Sequence, residues 1–451
     1  MGKIRPLEIL ILLFVMMYSL IPSYLGIRVG GVLFNAQRGM IIAMIGLLTI
    51  EAAANGRTIP RVLRVTKRSI VGSGFVVLYI ILRFTSAFQS DDLSLSLNSG
   101  LSDILSASVF LYIGVYYARD LTRVNRLITV IVVTALMLCI LGLVEAMVGR
   151  NLVASIFPMP AVSDDFMKLA LADKVRGTYR VQSTFIHPLA FGSYLVLVLP
   201  LAIYCVKRAR TAGMRTIFLG AIALMWVNAI FTGSRAAVLV MGLILLVHWI
   251  QLNVGILKSR SHLKRAIGIF NLCLVLLVIA VAIPIAQNMI SGKSEDEKSS
   301  SAGRIVQLTR GAQSVADHPL LGVGPRMAGK YAGISDSYGA TVDNWYLTIV
   351  VESGIVALVC FVSILLTIVW QSIRLARAYR DKNRLVDLFH SFGVSVGAFG
   401  LFLVILSLHD ETFPLLFLLL GTLFSLVDLT SDDPGKGARV IGYSRSRMAR
   451  R

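Results

Sequence analysis

The sequence predicts an all-α polytopic integral membrane protein of about twelve transmembrane helices, and three observations carry that prediction. Hydrophobic residues make up 56% of the 451-residue chain and charged residues only 15%, against about 25% charge in an ordinary soluble domain. The apolar residues gather in runs close to the roughly 20 residues that cross a hydrocarbon core about 30 Å thick. Lys and Arg outnumber Asp and Glu by 44 to 24, and their density alternates from one connection to the next. A soluble Rossmann or barrel enzyme is excluded. The basic excess orients helices in a bilayer before it has any bearing on nucleic acid.

The first run, near 7–24, follows a short basic head (Lys3, Arg5) without a small-residue cleavage site, so it reads as a retained span. The others lie near 34–54, 69–88, 101–118, 127–148, 184–206, 215–232, 236–252, 266–289, 345–373, 388–408 and 413–429. Gln37 and Arg38 interrupt the start of the second, and Arg83 lies inside the third. The N-terminus and every second connection together hold 29 Lys and Arg, whereas the alternate connections hold 14. Positive charge marks the cytoplasmic side, so both termini are expected inside. Residues 1–435 then form a single transmembrane domain with two long outer loops, 149–183 and 290–344. Loops of that length tend to carry function. The remaining segment, 436–451, reads as a disordered basic cytoplasmic tail against anionic lipid. Cys139, Cys205, Cys273 and Cys360 all fall in apolar runs without a CxxC. They read as small core hydrophobes, and no metal site is expected.

The outer loops contain arginines that the cytoplasmic bias does not account for: Arg176, Arg180, Arg235, Arg304, Arg310 and Arg326. Arg310 and Arg326 fit a solvated surface. Arg235 differs, because the tight TGSR turn between two spans holds its guanidinium at the membrane surface, facing lipid headgroups or a bound anion. Guanidinium forks suit phosphate through paired, charge-assisted hydrogen bonds. Several of them converging at the outer interface would hold a lipid-linked diphosphate.

In GRIVQLTRGAQSVADHP, Ile305, Leu308, Ala312 and Val315 recur at helical spacing. They predict an amphipathic helix over about 303–317, with Arg304 at its start and the His318-Pro319 pair at its end. Such a helix could lie on the bilayer as a lid or merely connect two spans. In VDNWYLTIVVESGI, Asp343 and Asn344 stand at the outer boundary, Trp345 and Tyr346 sit at belt height, and Glu352 lies two turns deeper. The aromatic pair reads as interface anchors. Asp343 either caps the helix or acts chemically, and Glu352 is either functional or an arginine's partner. His187, before a proline, suits a base or a helix-start cap equally.

The stretches RVQSTFIHPLAFGSYLVLVLPL, TGSRAA, GRIVQLTRGAQSVADHPLLGVGP and DNWYLTIVVESGI, in that order, resemble the O-antigen ligase and Wzy-type O-antigen or exopolysaccharide polymerase superfamily. The likeness covers about 180–370 by motif and the whole chain by span count. It implies a GT-C-like glycosyltransferase of the bacterial inner membrane, with its active site on the periplasmic face. The implied donor is a glycan on undecaprenyl diphosphate, and the implied chemistry is inverting, without metal, cofactor or nucleotide sugar.

By the same resemblance, Arg180 and Arg235 match the family's diphosphate-binding arginines, and Arg304 matches the one opening the loop helix. Asn344 matches the asparagine of a His-Asn pair. Asp343 stands where ligases carry the histidine taken as base, which points toward a polymerase. Asp343, Arg235 and Arg180 are thus the expected catalytic residues. Arg304, Asn344, His318, Glu352, Arg176 and Tyr346 are expected to bind substrate, and His318 and Glu352 are lesser candidates for the base. Expected partners are the lipid-linked glycan, membrane lipid, a chain-length regulator and a flippase. The rival activities are ligation onto a lipid A-core or other acceptor, and lipid-linked oligosaccharide transport.

Overall fold

In hydrocarbon every backbone N–H and C=O must be paired within its own segment, and for a long apolar run the α-helix does this. The computed structural model describes residues 5–29, 32–56, 62–65, 67, 69–156, 175–176, 178–257, 262, 269, 295–336, 339–380, 383–405 and 412–431. Eleven of the twelve apolar runs hold a helix there, and the run at 266–289, residue 269 apart, lies outside the described residues.

The first half contains α1 (Pro6–Leu20), α2 (Ala36–Ala54), α3 (Ile70–Ser86), α4 (Leu93–Tyr117), α5 (Leu121–Val148) and the short α6 (Leu152–Ile156). Then come α7 (Pro188–Arg208), α8 (Ala212–Phe231), α9 (Arg235–Leu257), α10 (Glu295–Asp317) and the short α11 (Ala328–Ala332). The chain continues with α12 (Trp345–Ala378), α13 (Asn383–Phe402) and α14 (Phe413–Ser431). Nine of the described helices are long and apolar enough to cross a membrane, against the twelve expected; α1 and Arg235–Gln251 are shorter apolar helices. The all-α expectation needs one amendment. Three small antiparallel hairpins, Gly26–Val29 with Val32–Asn35, Val175–Arg176 with Thr178–Tyr179, and Ile334–Asp336 with Gly339–Thr341, sit in the connections.

The two ends of the bundle differ. At one end, ion pairs tie helix to helix: Arg123 to Glu8 at 2.6 Å and Lys207 to Asp387 at 2.8 Å. At the other, connections bind one another through their backbones. Gln37 donates from α2 to the carbonyls of Tyr18 and Ile21, Thr184 donates to Ser19, Val181 N to Phe231 O, and Trp345 N to Leu403 O. The candidate residues gather at this loop-rich end. Helix α7 runs through the middle of the assembly, with nearly every residue from Phe191 to Ala202 buried, and it gives the loop ahead of it a fixed base.

Candidate functional site

The turn between α8 and α9 is built from its own small polar residues. Thr232 Oγ1 accepts from Ser234 N, Gly233 adopts φ +62°, and Ser234 Oγ accepts from Ala237 N, capping α9. Arg235 therefore occupies the first helical position, half-buried, where the helix dipole already presents positive potential. Arg180, 8% exposed, lies along the same turn: its Nε donates to Thr232 O at 2.8 Å. A Cβ at Gly233 would sit 3.0 Å from that Nε. The two arginines expected to act together are thus brought to one three-residue turn.

Glu145 fixes the loop segment that carries Arg180, and sequence reasoning passed it over. It comes from the last turn of α5 and is 1% exposed. Its carboxylate accepts from the Tyr179 hydroxyl at 2.5 Å, from Ser183 N at 2.6 Å and from Gln182 N at 3.4 Å. Ser183, with φ +54°, turns the chain from Arg180 back toward α7. A buried carboxylate survives because these donors replace water. Glu145→Gln replaces an acceptor-only group with an amide that brings donors toward the same N–H groups. The expected result is faster hydrogen–deuterium exchange of the 179–183 amides with the protein still inserted; unchanged exchange would remove Glu145 as the group that fixes this segment.

The second half of the site is the start of α12. Asn344 caps it, its side chain accepting from Leu347 N at 3.1 Å, so the cap is Asn344 and not Asp343. The Asp343 amide donates instead to Gln307 Oε1 at 3.1 Å. Gln307 is buried on α10, and Gly311 of the same helix lies against Leu347 in the first turn of α12. Helix α10 begins at Glu295, earlier than expected, so Arg304 lies in its body, exposed, rather than at its start. Ile305 and Leu308 are also exposed. The apolar stripe is divided: Ile305 and Leu308 face outward, whereas Val315 packs with Leu347 and Val350 against the cluster of Val323, Met327 and Val351.

Glu352 pairs with Arg83 of α3, Arg83 Nη1 to Glu352 Oε2 at 2.6 Å, with both side chains about 95% buried. Of the two readings open for Glu352, the structure holds the arginine partner. Arg83 also reaches Asp103 of α4 at 3.2 Å, and its guanidinium stands 5.6 Å from the Trp345 ring centre. Tyr346 donates to Gly400 O at 2.7 Å, tying α12 to α13. His187 takes its capping role, its Nδ1 accepting from Leu189 N. His318 is exposed just after α10, and Arg176 lies in the small hairpin ahead of Arg180. Arg310 donates to Gly333 O and Arg326 to Ser99 Oγ. Outside the spans, Lys330 and Tyr331 both donate to Asp91 and hold its carboxyl below the usual aspartate range. Among the described residues, no group of three or more His, Cys, Asp or Glu could hold a metal ion.

Two clusters therefore share one end of the bundle: Arg180 and Arg235 on the α8–α9 turn, and Asp343 beneath α10. The end of α13 is bonded to the second of them through Leu403 O. Comparison with known proteins places a family described as O-antigen ligase on residues 220–362. That stretch runs from α8 into α12 and includes Arg235, Arg304, Asp343, Asn344 and Glu352, while Arg180 and Arg176 precede it. No curated protein matches the chain.

Proposed function

We propose, from the membership of the O-antigen ligase and Wzy superfamily that residues 220–362 support, that this membrane protein is a polysaccharide polymerase. It joins oligosaccharide repeat units carried on undecaprenyl diphosphate at the periplasmic face of a bacterial inner membrane. The observation that carries the reading is the pairing of an arginine turn with a carboxylate residue, Asp343, at the same end of the bundle, beneath a helix that exposes Ile305, Val306 and Leu308. Those side chains suit a helix lying on the bilayer surface over an interfacial substrate.

The reaction follows from these residues. A hydroxyl of the acceptor unit attacks the anomeric carbon of the donor from the face opposite the diphosphate. Asp343 takes the hydroxyl proton as the new glycosidic bond forms. The bond between the anomeric carbon and the diphosphate oxygen breaks, and Arg180, Arg235 and Arg304 neutralise the charge that gathers on undecaprenyl diphosphate. The aspartate in place of a histidine favours polymerisation. The description of the matched family favours a second reading, ligation of finished glycan onto a lipid A-core or another acceptor.

Purified protein incubated with lipid-linked repeat units alone separates the two. A ladder of products is expected. Transfer that begins only when a lipid core is added would make the protein a ligase, and no transfer in either mixture would defeat both readings. Arg235→Ala should abolish the ladder while leaving the protein in the membrane, since Ser234 and not Arg235 caps α9.

A further inference from the structure

Helix α12 is not continuous. At Gly354 the backbone leaves helical geometry (φ +82°, ψ 174°), which separates a short first segment, Trp345–Ser353, from the long remainder. A break inside a bilayer frees backbone groups that must find other partners. They find them in the turn after α10: Val323 N donates to Val351 O, Gly324 N to Glu352 O, and Ile355 N to Pro319 O, each at 2.9 Å. Ala328 N adds a longer contact to Glu352 Oε1 at 3.4 Å. The chain thereby closes a ring. It runs from Asp343 along the first segment to Glu352, across to the 319–324 turn, back along α10 to Gln307, and from Gln307 to the Asp343 amide.

Arg83 fastens this ring to the bundle at two places. Nη1 binds Glu352 at the inner end of the short segment, and the guanidinium lies against Trp345 at its outer end, two residues from Asp343. Nη2 binds Asp103 and joins α4 to the same group. We infer that Arg83, acting through Glu352 and Trp345, is a positioning residue for Asp343: it sets the height and rotation of the short helix that presents the carboxylate to the acceptor hydroxyl. The inference rests on the polymerase reading for its kinetic consequence alone. A planar guanidinium can bridge two carboxylates and lie on an indole at once, whereas an ammonium on a flexible stem cannot hold all three in one plane.

The test uses Arg83→Lys and the double variant Arg83→Met/Glu352→Leu in the full-length protein. The double variant leaves no buried charge of the pair unmatched, so it can fold where a single deletion fails. Two measurements are made on each: kcat and KM for chain growth on lipid-linked repeat units, and hydrogen–deuterium exchange of peptides covering 319–328, 343–355 and, as reference, 188–208. A displacement of about 1 Å at a reacting group costs on the order of a hundredfold in rate. We expect kcat to fall by about that factor with KM within about twofold, because the donor is held elsewhere by Arg180 and Arg235. The amides of 319–328 and 343–355 should exchange faster while those of 188–208 stay as they were. Wild-type kcat in the double variant, a loss confined to KM, or unchanged exchange in both variants would overturn the inference. If the wild-type protein makes no ladder, the exchange measurement still decides the positioning role, so the failure of the polymerase reading remains distinct.

Discussion

Asp343→Asn is expected to abolish polymer formation while the protein inserts and folds as before. The substitution removes a proton acceptor at nearly constant volume. General-base catalysis contributes about 10²–10⁴-fold, or roughly 3–5 kcal/mol of barrier at 1.36 kcal/mol per decade. Two contacts that hold this segment do not involve its side chain: the bond to Gln307 is made by the backbone amide of residue 343, and the helix cap belongs to Asn344. Thermal unfolding of the variant alongside the wild type separates loss of chemistry from loss of fold. Asn344→Ala supplies the contrast, since it deletes the cap, costs about 1 kcal/mol of stability and leaves the carboxylate in place. Gel analysis of lipid-linked glycan in membranes containing equal amounts of each variant compares them. A full ladder from Asp343→Asn would transfer the base to another residue.

The spans were legible because hydrocarbon thickness imposes one length on every crossing, and the apolar runs matched observed helices wherever the chain is described. The site was legible only where its logic is local. Arg235 announces itself because its turn is three residues long, and Asn344 because an Asn ahead of an apolar run suits a cap. Arg83 and Glu352 each stood out as charges in apolar surroundings, but they are 269 residues apart and no periodicity joins them. Glu145 was passed over for a similar reason: its donors belong to the distant 179–183 loop, and its position near a span end made it look ordinary.

Helix α10 shows both sides of the matter. Its apolar spacing was read, but not the direction in which it points, because that is decided by which stripe fits against α12. Its start was missed because it lies in a polar stretch without apolar spacing.

The other large effect belongs to two glycines whose partners no sequence pattern reveals. Gly354 holds φ +82° with ψ 174°, a region that only glycine occupies at ease. A Cβ there would stand 2.0 Å from Leu320 O. Gly322, at φ +65°, faces it from the other side, where a Cβ would stand 2.4 Å from Val351 O and 2.5 Å from Ser353 N. These obstacles are backbone atoms and cannot rotate away. Gly354→Ala or Gly322→Ala must part the turn from the broken helix and strand the amides of Val323, Gly324 and Ile355, each worth about 1–3 kcal/mol when buried without a partner. The combined loss, about 3–9 kcal/mol, spans the roughly 4–5 kcal/mol that marks an exceptional single substitution. Thermal unfolding in detergent should show it directly, with Gly74→Ala in α3 and Gly220→Ala in α8 as references. A Cβ at either reference position meets nothing within 4 Å, and alanine in a helix interior is better than glycine by about 0.5–1 kcal/mol. The reference variants should melt at or slightly above the wild-type temperature, whereas the other two should fail to accumulate or should melt far below it. If Gly354→Ala melted together with Gly220→Ala, the ring from Asp343 through Glu352 to Gln307 would lose its closing contact, and with it the reason a membrane helix is broken two residues beyond a buried ion pair.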